Sequence, residues 1–204
     1  MTDKFLDKTY GLETPTATRA HYDEWAATYD AEIAENGYAT PGRVAAALWR
    51  HLPDPQAGIL DFGCGTGLSG LALRRAGFEI VDGMDPSPGM LEGARAKAVY
   101  RNLSLLDLAD KTPIARGAYR AIVAAGVIGV GAAPPETLDL VMRALARGGL
   151  LALSLNDHAL DDPAFTGRLN EWLDSGAAKL LSREHGPHLP GIGLKSTVYI
   201  IEKS

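Results

Sequence analysis

The sequence predicts an α/β fold built on a doubly wound, mostly parallel sheet, and two observations carry that expectation. From residue 58 onward, short apolar runs alternate with amphipathic stretches, the pattern of βαβ units with helices on both faces of a sheet. The first apolar run, Ile59-Leu60-Asp61-Phe62, leads straight into glycines at 63, 65 and 67 and then into a helical pattern. Glycines there suit a turn at positive φ, or a backbone that approaches a ligand with no Cβ in the way. Free amides at the start of the following helix favour an anionic ligand group. In sheets of this kind the ligand lies beyond the carboxyl ends of the strands, where the strand order reverses.

Taken in order, Tyr22, Trp25, Ala26, Tyr29 and Ile33 share one helical face, and Asn36-Gly37 ends that helix. Pro41 opens a second helix carrying Val44, Ala47 and Leu48, and Leu52-Pro53-Asp54-Pro55 is a turn-rich link to the first strand. That strand is Gly58–Phe62, followed by a helix over Leu68–Arg75 that stops at Gly77. Phe78–Met84 reads as the second strand. Ser87 is placed to cap the next helix, with Pro88 in its first turn. Leu103–Leu106 and Ala121–Ala125 are the third and fourth strands. A helix with Leu138, Val141, Met142 and Leu145 on one face runs to Gly148-Gly149. Leu150–Leu155 is the fifth strand, a helix bearing Phe165, Leu169, Trp172 and Leu173 ends near Gly176, and Lys179–Arg183 and Ser196–Glu202 are two further strands.

The 204 residues are 46% hydrophobic and 22% charged, which fits a single soluble globular domain: an N-terminal helical cap over 1–52 and an α/β core over 53–204. A net charge of −5 with no long basic run argues against a nucleic-acid backbone as main partner and leaves a small-molecule substrate. One cysteine, Cys64, allows no internal disulfide and suits a reducing cytoplasm. Met1–Thr9 lacks the apolar stretch of a signal peptide, and no apolar run approaches the ~20 residues a membrane helix needs. The expectation is a cytoplasmic protein, monomer or homodimer, without membrane contact.

Three acids fall at or just past strand ends. Asp85, eighteen residues beyond Gly67, is placed to accept hydrogen bonds from both hydroxyls of a ribose; alternatively it forms the turn before Pro86. Asp107 is placed to accept from an adenine amine with Leu106 and Leu108 against the ring, or else to cap the loop Asp107–Thr112. Asp61 either pairs with a cationic ammonium or holds the glycine loop by accepting from its amides. The dinucleotide fingerprint Gly-x-Gly-x-x-Gly fails when counted from Gly63, which puts Leu68 third, but a match survives from Gly65 through Gly67 and Gly70. An NAD(P)-dependent oxidoreductase therefore stays open.

Ile59-Leu60-Asp61-Phe62-Gly63-Cys64-Gly65-Thr66-Gly67 resembles the first motif of the class I S-adenosylmethionine-dependent methyltransferases. Val81 through Leu91, with Asp85, Pro86 and Met90 inside it, resembles their second, and Leu105-Leu106-Asp107-Leu108 is similar to their third. The resemblance runs from about Tyr22 to Lys203 and is strongest to the small methyltransferases of the Williams–Beuren-region type. It implies a Rossmann-like seven-stranded sheet whose last strand, Ser196–Glu202, is antiparallel. It implies room for the methionyl part of S-adenosylmethionine at Gly63, Cys64, Gly65 and Gly67, the ribose on Asp85 beside Pro86 and Met90, and the adenine on Asp107 between Leu106 and Leu108. Ala125 and Gly126 would flank the methyl-bearing sulfur, with Asp61 at the site and Tyr22 and Tyr29 closing over it; S-adenosylhomocysteine would be the product.

Departures from the pattern narrow the acceptor. The fourth strand ends Ala124-Ala125-Gly126-Val127-Ile128, without the Asp/Asn-Pro-Pro-Tyr motif of enzymes that methylate exocyclic or amide nitrogens. A lone cysteine rules out a two-cysteine cytosine C5 mechanism. Both count against nucleobases. Methyl transfer asks mainly for alignment of nucleophile, methyl and sulfur, with a base only where the acceptor must lose a proton. His158, His185, His188 and Tyr22 are the candidates; His185 and His188 flank a Gly-Pro turn, no catalytic residue is assigned, and no metal is expected. Tyr22, Trp25 and Tyr29 could meet a sulfonium by cation–π contact, with Trp25 assigned to the core. The reading is methyl transfer from S-adenosylmethionine to a small-molecule oxygen, nitrogen or carbon. A non-catalytic S-adenosylmethionine-binding module is the second alternative.

Overall fold

The computed structural model describes Phe5, Leu12 and residues 14–204. Its helices and strands in chain order are α1 Pro15–Trp25, α2 Tyr29–Glu35, α3 Thr40–His51, β1 Gly58–Phe62, α4 Leu68–Ala76, β2 Ile80–Asp85, α5 Pro88–Lys97, β3 Leu103–Leu105, β4 Ala121–Ala124, α6 Thr137–Ala144, β5 Leu150–Asn156, α7 Asp157–Asp161, α8 Pro163–Asp174, β6 Ala178–Leu189 and β7 Leu194–Lys203. The strands form one seven-stranded sheet in the order β3-β2-β1-β4-β5-β7-β6. All pairs from β3 to β5 are parallel, and β7 runs antiparallel to both β5 and β6. The order reverses between β1 and β4, which sets their carboxyl ends side by side at the place where such sheets bind ligands.

Strand alternation divides the core into two layers. Leu60, Phe62, Ile122, Leu151, Leu153 and Ile201 pack on α6 and α8 through Leu138, Val141, Met142 and Phe165. Ile59, Val81, Ala121, Val123, Ala152 and Ile200 face α3 and α4 through Val44, Leu48 and Leu73. Helix α3 thus belongs to the sheet's own core. A separate cluster of Trp25, Ile33, Leu189 and Leu194 joins α1 and α2 to the β6–β7 hairpin, so those two helices are the ones that stand over the strand ends.

Three local expectations change. The helix read through Tyr22–Ile33 is two, because Thr28 donates its N–H to Trp25 O at 3.0 Å and its hydroxyl to the same carbonyl at 3.5 Å. That i→i−3 closure tightens the turn, and α2 restarts at Tyr29. Gly186-Pro187 is no turn. Both residues continue β6, pairing with Ser196 and Lys195 across a bulge at Pro187/Leu189, and β6 is an edge strand, where a proline leaves no ladder bond unmade. Helix α7 was not expected from the sequence; Asn156 ends β5 and its side chain accepts from Ala159 N–H, starting a helix too short to show a period.

Candidate active site

Beyond β1 the chain turns through Gly63, Gly65 and Gly67 at φ 67°, 53° and 94°, all in the left-handed region where a side chain is strained. The first two glycines answer different demands. A Cβ on Gly63 would lie 2.6 Å from both methyls of Val127, so the protein's own packing requires glycine there. A Cβ on Gly65 would meet nothing within 4 Å, so that backbone borders open space. Gly67 caps α4, and its Cβ position faces Tyr100 and Ala94 inside the protein.

The open space is a cavity of about 290 Å³ over the carboxyl ends of β1, β2 and β4. Gly63, Cys64 and Gly65 form its floor. Asp85, Pro86 and Met90 line one side, Leu106, Asp107 and Leu108 follow, and Ala125 and Gly126 close the end past β4. Tyr22 of α1 and Tyr29 of α2 cover it. Two residues read from the sequence as cofactor-binding do not reach the wall, Gly67 and Asp61. Asp61 is 1% exposed, beneath the loop, where its Oδ2 accepts from Ser69 Oγ and Tyr100 Oη, each at 2.6 Å. It anchors the underside of the loop through those hydroxyls. Trp25 lies in the core as expected, its indole N–H donating to Glu32 at 2.8 Å.

Asp85 ties the loop to α5. Its Oδ2 accepts from Gly65 N–H at 2.8 Å and its Oδ1 from Ser87 N–H at 2.9 Å, while Ser87 Oγ accepts from Met90 N–H at 3.0 Å to cap α5. The turn and the site readings of Asp85 are therefore compatible, since each carboxylate oxygen keeps a lone pair for a ligand. Burial pushes the Asp85 carboxyl up to about 6, against the two N–H donors that hold it down. Asp107 is exposed, with Oδ1 accepting from Ala109 N–H at 2.9 Å and its other oxygen left for the cavity. Burial raises the Cys64 thiol and the Tyr29 hydroxyl, so both are neutral wall groups.

The covering helices are held by two acids that carried no motif. Asp23 of α1 accepts from Ser87 Oγ at 2.5 Å and Gly89 N–H at 3.1 Å, an anion at the N-terminus of α5. Asp30 of α2 accepts from Thr66 Oγ at 2.5 Å and Lys97 Nζ at 2.5 Å, and Lys97 also donates to Thr66 O. Among wall residues, Tyr38 carries no sequence signal; it sits in the link between α2 and α3 with its hydroxyl where a Gly126 Cβ would be. Val127 could have been found from its place next to Gly126. Of the three histidines read as candidate bases, His158 and His185 are exposed and His188 is buried.

Asp61 supplies a test of the loop's foundation. Burial raises its carboxyl to about 6. For an acid this means that the folded state holds the proton more tightly than the unfolded chain, so stability falls as pH rises from about 4 to 6. The shift of about two units corresponds to roughly 3 kcal/mol, present in full only above that window. Urea unfolding of Asp61→Asn should show a shallower fall across it than the unaltered protein. Parallel curves would show that Asp61 is not the group responsible.

Residues 59–149 match a protein family described as a methyltransferase domain. The chain is 38% identical over 136 residues to Methyltransferase-like protein 27 of Homo sapiens, covering 65% of this chain and 55% of that one. It is 33% identical over 159 residues to Trans-aconitate 2-methyltransferase of Methylobacterium radiotolerans, covering 66% and 60%. These alignments take in little more than half the length of either relative. In fold it is similar to Burkholderia thailandensis 1,6-didemethyltoxoflavin-N1-methyltransferase, solved with 1,6-didemethyltoxoflavin and S-adenosylhomocysteine, at a TM-score of 0.65 and 18% identity over 95% of this chain and 92% of that one.

Proposed function

We propose that the chain is a class I S-adenosylmethionine-dependent methyltransferase whose cavity binds S-adenosylmethionine and presents the methyl group to a small-molecule oxygen, nitrogen or carbon. The observation that carries the proposal is the single cavity shared by the glycine floor, Asp85, the Leu106-Asp107-Leu108 wall and Gly126. Gly65 makes the fit: at φ 53° it leaves free the volume a side chain would fill, so a ligand can lie on its backbone. Asp85 would hold the ribose, Asp107 the adenine amine between Leu106 and Leu108, and Gly63 through Gly65 the methionyl part, with Ala125 and Gly126 beside the sulfur. The bound cofactor supplies a methyl group already activated by its sulfonium. The chain's task is then to align the acceptor and exclude water, which α1 and α2 do by covering the cavity.

Enclosure also favours a small acceptor, since Tyr22 and Tyr29 roof a cavity of about 290 Å³ that a polymer could not enter without moving them. The relative acting on trans-aconitate is in keeping with this reading. The shifted dinucleotide fingerprint loses support from the geometry. Its second glycine, Gly67, should approach a pyrophosphate but faces Tyr100, and the Gly70 N–H donates to Tyr100 Oη at 3.1 Å. Thermal unfolding separates the readings, because a ligand that binds the native state raises the midpoint. S-adenosylhomocysteine should raise it by several degrees, and NAD and NADP should leave it unmoved. A rise with NAD or NADP alone would refute the proposal.

A further inference from the structure

A smaller chamber adjoins the cavity at Gly126. It holds about 60 Å³ and shares Tyr22, Tyr29, Tyr38, Gly126 and Ala132 with the larger space. That is room for a small polar group, since about 10–15 Å³ of such space already admits a water. Its far wall is polar: Ser154, Asn156 and His188. Ser154 Oγ accepts from Gly126 N–H at 2.8 Å, so this wall is bonded directly to the backbone assigned above to the reacting sulfur.

His188 is the titratable group there. It is 7% exposed, its ring stands edge-on to Tyr38 at 5.2 Å, and its Nδ1 lies 2.8 Å from Thr40 Oγ1, which is itself 2.9 Å from Ser196 Oγ. Nε2 has no hydrogen-bond partner among the described residues, and His188 is one of the residues that line the chamber. Burial first, then the nearby Arg43 guanidinium, lower its pKa to about 4, and the ring is neutral at physiological pH. No Asp, Glu, Lys or Arg is among the described residues lining the chamber. A carboxylate, phosphate or ammonium placed there would be desolvated with no charged side chain on the chamber wall to meet it, since the Arg43 guanidinium is engaged by the Pro187, Ser196 and Glu184 oxygens, and a neutral hydroxyl incurs no such cost. The larger cavity beside it is walled by Tyr22, Tyr38, Val127 and Leu140, which suits a flat apolar body.

We infer that this chamber seats the reactive group of the methyl acceptor, that the group is a neutral hydroxyl carried on an aromatic body, and that His188 positions it by accepting its hydrogen bond, the hydroxyl proton passing to that ring as the oxygen–methyl bond forms and the sulfur–methyl bond breaks. The inference rests on the cofactor assignment made above, and its test keeps the two apart. The protein is loaded with S-adenosylhomocysteine and titrated by calorimetry with 4-methylphenol, toluene and 4-methylbenzoate. A phenol hydroxyl stays protonated near neutral pH, as that of tyrosine does. We expect 4-methylphenol to bind at least about tenfold more tightly than toluene, and 4-methylbenzoate not to bind. In His188→Phe the preference for the phenol over toluene should vanish, while affinity for S-adenosylhomocysteine stays within about twofold. In the unaltered protein the imidazole resonances of His188 should move with 4-methylphenol and stay put with toluene, a readout that does not depend on the variant folding. Equal affinity for phenol and toluene, or a phenol preference that survives in His188→Phe, would overturn the inference. Loss of S-adenosylhomocysteine binding by the unaltered protein would instead overturn the cofactor assignment.

Discussion

Gly65→Ala should fold and lose its cofactor, whereas Gly63→Ala should lose stability. The two glycines are two residues apart and share a left-handed backbone, φ 53° and 67°, so strain of roughly 1–2 kcal/mol is common to both variants. What separates them is where the new methyl goes. At position 63 it meets Val127 at 2.6 Å on two atoms, a contact that forces backbone or side chain to shift, for a further 1–3 kcal/mol or about that. The midpoint of thermal unfolding should drop by on the order of 10 °C, and a second change, Val127→Ala, should recover part of the loss. At position 65 the methyl meets no protein atom and enters the cavity, so the midpoint should fall by less than about half as much. S-adenosylhomocysteine affinity should then fall by at least about tenfold. Equal binding by Gly65→Ala and the unaltered protein would mean that no ligand lies on that backbone.

The second large effect is at Asp85. Two hydrogen bonds from ribose hydroxyls to a charged acceptor contribute roughly 1.5–3 kcal/mol each, so Asp85→Asn should weaken cofactor binding by about a hundredfold. The loop itself should suffer less, since the amide carbonyl can still accept from Gly65 N–H or Ser87 N–H. Because the Asp85 carboxyl sits near 6, cofactor affinity should rise with pH as that group loses its proton, and the affinity of Asp85→Asn should be flat over the same range. Calorimetry between about pH 5 and 7 measures both effects. Undiminished affinity in the variant would remove Asp85 from the ribose.

Much of this was legible in the chain because the relevant signals are local. Glycines at every second position after an apolar strand, a serine and proline ahead of α5, and acids at strand ends are each set by neighbours close in sequence. Strand count and the antiparallel β7 follow the expectation. What the sequence hid depends on tertiary contacts. Asp61 has the spacing of a site residue, yet Tyr100, 39 positions away, draws it under the loop. Asp23 and Asp30 read as polar residues on a helical face and turn out to hold α1 and α2 to the loop and α5, across 64 and 36 positions. Gly186-Pro187 looks like a turn because its partner strand, which makes it extended, lies ahead in the chain. His188 has no motif around it; only the fold brings it, through Thr40 and Tyr38, to the far wall of the site.

A crystal structure of the protein with S-adenosylhomocysteine tests the central claim most directly. The ribose hydroxyls should lie within hydrogen-bond distance of Asp85, the adenine amine near Asp107 between Leu106 and Leu108, and the sulfur beside Gly126 at the mouth of the His188 chamber. A ligand bound elsewhere, or in the cavity with its ribose away from Asp85, would contradict that claim.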